Sequence, residues 1–196
     1  MMVCTLDQLQ RDVMSRLGEN PQPQPSYEGL DIPAPIDVIR QKILSLLPEI
    51  GSRLIREASS DSLGDGEVID VSVVMRKMPC GLFAAEVKIP EDFLRVVSVK
   101  MSGWTRSVNQ IIMPGDKEWS RQWSAEPGIA GNPDCPKAYI ASADRGLILR
   151  LIGSEDEDDI LDWVRICRFR TPENDASFYF PSSLYSALIS EMTKLL

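Results

Sequence analysis

The chain of 196 residues contains no histidine. That absence removes Ser-His and Cys-His catalytic pairs, imidazole metal ligands and histidine pH switches from the available chemistry. Cysteine is sparse and scattered: Cys4, Cys80, Cys135 and Cys167 form no Cys-x-x-Cys pair. Small buried thiols in a reducing compartment are the expectation, with a zinc or redox site as the alternative. No apolar run approaches the ~20 residues that span a bilayer, so no membrane association is expected. The opening MMVCTLDQLQRD turns polar after four residues and has neither the basic leader nor the apolar core of a secretory signal. A protein located or assembled in the cytoplasm is expected.

Other signatures are missing too. Gly64-Asp65-Gly66 has neither the spacing nor the lysine of a phosphate loop, and no Gly-x-Ser-x-Gly elbow occurs. Paired carboxylates distant in sequence are the one catalytic route left open. Positive charge is in deficit, with Lys+Arg 21 against Asp+Glu 29 and a net charge of −8. A whole-surface grip on nucleic acid needs clustered Lys and Arg, so it is not expected. Neither cofactor nor metal is expected.

What is present suffices for one sizeable core, since 43% of residues are hydrophobic. Thr5-Leu6-Asp7-Gln8 has the form of a capping box, Leu6, Leu9, Val13 and Leu17 recur at helical spacing, and Gly18 is placed to end the helix. The segment 19–35 carries Pro21, Pro23, Pro25, Pro33 and Pro35. Its Pro-Gln alternation favours an extended, polyproline-like arm, either lying over the surface or reaching a neighbouring subunit. Pro21, Pro23, Pro25 and Tyr27 are therefore candidate interface residues. A second helix follows from Pro35 with Ile36, Ile39, Ile43 and Leu47 on one face, and Pro48 is expected to kink or split it.

From Glu67 the period becomes two, and Ile69, Val71, Val73 and Met75 mark one strand running to Lys77. A turn at Pro79-Cys80-Gly81 pairs it with Phe83–Ile89. Further strands are expected over 94–101, 107–113, 137–141, 146–152 and 163–169, the last with Trp163, Cys167 and Phe169 on one side. Asp116–Ser124 reads as a short helix with Trp119 and Trp123 one turn apart, either lids over a core or a stacking platform for a ligand. Glu155–Asp159 is a block of acids, expected in a solvated loop, without the spaced ligands and glycine of an EF-hand. Arg165, Arg168 and Arg170 crowd one segment and are candidate interface residues that can answer the acidic block. A last helix opens after Pro181, with Leu184, Leu188, Met192 and Leu195 as its stripe. The fold class expected is α+β in one domain over 1–196: a helical part (5–59 with 181–196) and a mainly antiparallel β-rich part (66–170).

Three segments, in order, carry a resemblance. Pro90, Asp92 and Phe93 lie in IPEDFLRVVSV, Gly131, Pro133 and Tyr139 in GNPDCPKAYI, and Pro181, Tyr185, Ala187 and Leu188 in YFPSSLYSALISEM. Together with the two N-terminal helices, GLILRLIG and WVRICRFRTP, these make the chain resemble the head-to-tail adaptor proteins of tailed bacteriophages, especially the tubular-tail-protein-A-like adaptors of short-tailed phages. The resemblance covers most of the chain; the Pro-Gln arm and the acidic block depart from it. It implies a structural protein without catalysis, in a ring of its own copies between portal and tail proteins, with DNA passing through unbound. It also implies a place in the virion after assembly in the cytoplasm. The alternative is a bacterial binding module for a sugar or peptide, built on Trp119 and Trp123.

Overall fold

The computed structural model describes residues 1–18, 35–143, 146–172 and 177–196. The architecture is α+β, with helices towards both termini and a β-rich middle. Along the chain come β1 (Met2–Cys4), α1 (Leu6–Leu17), α2 (Pro35–Glu57), β2 (Glu67–Ile69), β3 (Val73–Lys77), β4 (Phe83–Lys88) and β5 (Arg95–Met101). There follow β6 (Ile111–Ile112), a 3-10 turn at Trp119–Trp123, α3 (Pro127–Ala130), β7 (Lys137–Ala143), β8 (Gly146–Ser154) and β9 (Leu161–Cys167). The chain closes with β10 (Phe178–Phe180), a 3-10 turn at Ser182–Leu184 and α4 (Tyr185–Leu195). It divides into two compact units, Met1–Gly64 with Arg168–Leu196, and Asp65–Cys167.

In the first unit α1 begins and ends as its sequence dictates. The Thr5 side chain accepts from the Gln8 amide, and Gly18 sits at φ 78°, a left-handed cap that a side chain would strain. Helix α2 continues through Pro48 rather than splitting there. It buries Ile43, Leu47, Ile50 and Ile55, so the packed face holds the helix together across the missing amide. The side chain of Ile36 lies outside the description. Helix α4 packs against both α1 and α2. Its stripe is narrower than expected: Leu188 and Met192 are buried, whereas Leu195 is exposed. No side-chain cap bond starts it, because the 3-10 turn precedes it and the Ser183 hydroxyl bonds instead to the Ser62 carbonyl. The antiparallel ribbon β1–β10, which pairs Met2 with Phe180 and Cys4 with Phe178, had no advance signal. Each strand has three residues, too few for a period of two to stand out.

The second unit holds two sheets, β2-β9-β5 and β3-β4-β8-β7-β6. All the pairs are antiparallel except β6–β7, which is parallel. The single strand expected from Glu67 to Lys77 is two, broken at Asp70–Ser72 and shared between the sheets. The alternation survives the break, since Ile69, Val71, Val73 and Met75 all meet one core. At the other margin a Val99–Val108 bridge leads from β5 towards β6. The two sheets thus face one core with both margins joined by chain, an arrangement close to a barrel that leaves little free edge. Val87, Val99, Met101, Leu149, Leu151, Val164 and Ile166 are fully buried in it. Each such side chain is worth about 1.5–3 kcal/mol over exposure. Strand β9 buries Val164 and Ile166 on one side and Cys167 on the other, where Trp163 is only half-buried. Phe169 belongs to the first unit, where it meets Phe178 and Phe180 edge-to-face at 5.8 and 6.0 Å.

Candidate functional site

On the side of the five-stranded sheet away from the barrel core, two kinds of surface lie next to each other. One is covered: Ala84, Ile112, Ala130, Tyr139 and Ile152 form a small second core, with Trp119 packed against it. The Trp119 indole N–H donates to the Ile140 carbonyl at 3.1 Å, which fixes the ring as a lid. Burial, then the Glu118 carboxylate, push the Tyr139 phenol up to about 12.

The other surface is polar and open. Strand register places Val74 opposite Glu86 and Glu86 opposite Arg150. Arg150 donates to Glu86 at 2.9 Å, and Arg76 donates to the other Glu86 oxygen at 2.7 Å. Partial burial raises the Glu86 carboxyl, but the hydrogen bonds and charges of Arg150 and Arg76 outweigh it and hold the pKa below the usual carboxylate value. Gln122, fully buried, accepts from Arg150 at 3.1 Å and donates to the Trp119 carbonyl at 3.0 Å, so it ties the charged cluster to the lid. The Arg150 guanidinium lies 4.4 Å from the ring centre of Trp123, which is 59% exposed. A cavity of about 140 Å³ opens here between Lys77, Met78, Pro79, Ala84 and Trp123.

Trp119 and Trp123 therefore do not form one platform. Their segment is a 3-10 turn, in which residues four apart differ by about 120° in direction rather than the ~40° of an α-helix. One indole goes inward and the other outward.

A larger cavity, about 630 Å³, lies beside β6 and is lined by Arg106, Asn109, Gln110, Lys117, Glu118 and Lys137. Its size suits a small molecule. Much of its polar lining holds the surrounding loops: Lys137 donates to the Ile129 carbonyl at 2.8 Å, Arg121 pairs with Glu118 at 3.0 Å, and Arg106 contacts the Cys135 sulfur at 3.3 Å.

The other residues singled out in the sequence are dispersed. Pro21, Pro23, Pro25 and Tyr27 lie outside the described residues. Arg165 is on β9, 3.4 Å from Asp65 and with its guanidinium 5.4 Å from the Trp163 ring centre, whereas Arg168 and Arg170 belong to the first unit. In the acidic block Glu155–Asp158 are exposed, and Asp159 lies against Ser102 and Gly103. Among the described residues no three Cys, Asp or Glu side chains are grouped to hold a metal, and no helix is long and apolar enough to cross a membrane. Glu86 and Arg150 carried no signal in the sequence, because they are 64 residues apart and meet only through register.

Compared with known proteins, the chain matches no family model and no curated protein sequence.

Proposed function

We propose that this protein is a structural adaptor of a phage or prophage virion, forming a ring of its own copies between the portal and tail proteins. The observation that carries the reading is where the resembling segments fall in the fold. Pro90–Phe93 makes the turn that feeds β5, with the Phe93 amide bonded to the Pro90 carbonyl at 3.3 Å. Gly131 and Pro133 precede the β7–β8 hairpin, and Tyr139 is buried within it. Gly131 has φ 141° and a Cβ there would stand 3.0 Å from the Ile152 carbonyl, so this glycine has a structural reason. Pro181 opens the last helical segment. Each segment thus opens a strand, a hairpin or a helix, which supports the reading without depending on any one residue.

The charge of the chain suits the role. A net charge of −8 is compatible with a surface that DNA passes without sticking, because like charges repel. The test is to induce phage in the source strain, purify particles on a density gradient and search them for this chain by mass spectrometry. A few to about a dozen copies per particle are expected of a neck ring. Particles that lack the chain would sink the reading.

A second reading, a sugar- or peptide-binding module, draws on the exposure of Trp123. Ligand-dependent quenching of tryptophan fluorescence, abolished by Trp123→Ala, would favour it.

A further inference from the structure

The Trp123–Arg150 surface is built like a docking point. Tryptophan and arginine are the side chains most often found at the energetic centres of protein interfaces. Here an exposed tryptophan is held in place by an arginine that is itself fixed by Glu86 and by the buried Gln122. The adjoining cavity of about 140 Å³ is well below the ~300 Å³ at which small-molecule pockets begin. It admits one side chain. Arg76, Lys77 and Arg150 surround it against the single carboxylate of Glu86, so the surface is net positive on a chain whose overall charge is −8. Val74, on the same side of the sheet as Glu86, adds an apolar margin and is 53% exposed.

The complement of that surface lies elsewhere in the same unit. The loop after β8 carries four exposed acids, Glu155–Asp158, and ends in Ile160, at 67% the most exposed large hydrophobic side chain among the described residues. Ile160 is not loose. Its amide donates to the Ser102 hydroxyl at 3.0 Å, and its carbonyl accepts from the Ser102 amide at 2.9 Å. The Asp159 carboxylate fills the space that a side chain at position 103 would need, which only glycine leaves free. An isoleucine pinned by its backbone with its side chain outward, beside a run of acids, is pre-organised for binding.

We propose that the Trp123–Arg150 surface of one copy takes the Glu155–Ile160 loop of a second copy, with Ile160 entering the small cavity beside Trp123 and the acids facing Arg76 and Lys77. The surface lies on β3, β4 and β8; the loop leaves the end of β8 and its far end is held by Ser102, just after β5 in the other sheet. The surface and the loop are made of different residues, and a contact of this heterologous kind propagates into a ring or an open chain. The proposal rests on the adaptor reading for its setting and on charge and shape for its content.

The test uses the full chain and two charge-reversed variants. One is Arg76→Glu with Lys77→Glu; the other is Glu155→Lys, Asp156→Lys and Glu157→Lys. Self-association is followed by sedimentation velocity, and circular dichroism checks that each variant is folded. The wild type is expected to associate, and to do so less as salt rises and screens the charges. Each variant alone is expected to lose association roughly tenfold or more. An equimolar mixture is expected to regain it, because the reversed surface of one variant then meets the reversed loop of the other. Trp123→Ala and Ile160→Ala, which leave the charges in place, are each expected to weaken association by a similar factor. A wild type that stays monomeric at every concentration reached, variants that associate as before, or a mixture that fails to recover would overturn the proposal. A chain found in particles without this contact keeps the adaptor role and loses the docking; a chain that associates in this way but is absent from particles does the reverse.

Discussion

The ring of Phe169 packs against Gly51 in α2, with its Cε2 atom 3.1 Å from where a Cβ would stand. Glycine inside a helix gives up about 1 kcal/mol relative to alanine. Here it makes room for the aromatic group of Phe169, Phe178 and Phe180. Gly51→Leu would drive a side chain into that ring, and overpacking of this kind costs about 1–3 kcal/mol despite the gain in helix propensity. A lower urea midpoint with an unchanged slope is the expected result.

Helix α1 is defined at both ends by single residues. Thr5→Ala removes the bond to the Gln8 amide and is expected to cost about 1 kcal/mol. Gly18→Ala meets no neighbour within 4 Å, so its cost, also about 1 kcal/mol, comes from the positive φ alone. The two ends share no partner, and the double variant should lose the sum, as read by thermal unfolding.

Trp119 and Trp123 make a matched pair of opposites. Trp119→Ala removes part of the small core and the bond to Ile140, and about 3 kcal/mol of stability with it. Trp123→Ala should change stability by less than ~1 kcal/mol, since the ring is mostly in solvent and a cation–π contact at an exposed site is worth about 0.5–1 kcal/mol. Equal losses for the two would contradict this division of roles.

The Glu86 carboxyl is held below its ordinary pKa in the folded chain. A depressed acid adds stability above its unfolded pKa, and that contribution is lost as pH falls through the folded value. Acidification below about pH 4 should therefore weaken the wild type more than Glu86→Gln, which is already weaker at pH 7. The difference between their urea midpoints should shrink as pH falls. A constant difference from pH 7 to pH 3 would count against it.

The four thiols divide by exposure. Burial, and then the nearby Asp12 carboxylate, push Cys4 up to about 11, and burial also raises Cys167. Cys135 is exposed and Cys80 half-buried. Because the thiolate is the reactive form, maleimide should label Cys135 first and Cys80 more slowly, leaving Cys4 and Cys167 untouched until the chain unfolds. Peptide mapping after graded exposure checks the order.

The segments most legible in the sequence are those whose signals are local. Thr5, Gly18 and the stripe between them define α1 because caps and periodicity act within a few residues. The β3–β4 hairpin was visible for the same reason: alternation on each side of a short turn specifies both strands and their pairing. Alternation also told which side of Glu67–Lys77 faces inward, but not that the strand breaks. The break at Asp70–Ser72 serves the passage from one sheet to the other, which no residue nearby encodes.

The candidate site is the opposite case. The tryptophans were visible as residues and their partners were not. A helical turn and a 3-10 turn have similar sequences yet rotate residues four apart differently, so the outward direction of Trp123 depends on how the segment lies on the sheet. Arg150 and Glu86 meet because β4 and β8 pair in one register, and a shift of one residue would turn both to the other face.

By itself, then, the sequence determined the helices at the two ends, the β-rich middle, the negative charge and the want of any histidine chemistry, all of them properties of composition or of neighbours along the chain. Tertiary structure alone decided the barrel-like closure, the β1–β10 ribbon and the union of Trp123, Arg150, Glu86 and Gln122, because each depends on contacts between segments far apart in sequence. Such contacts are chosen by the burial of whole faces, a free energy that no single stretch of residues carries.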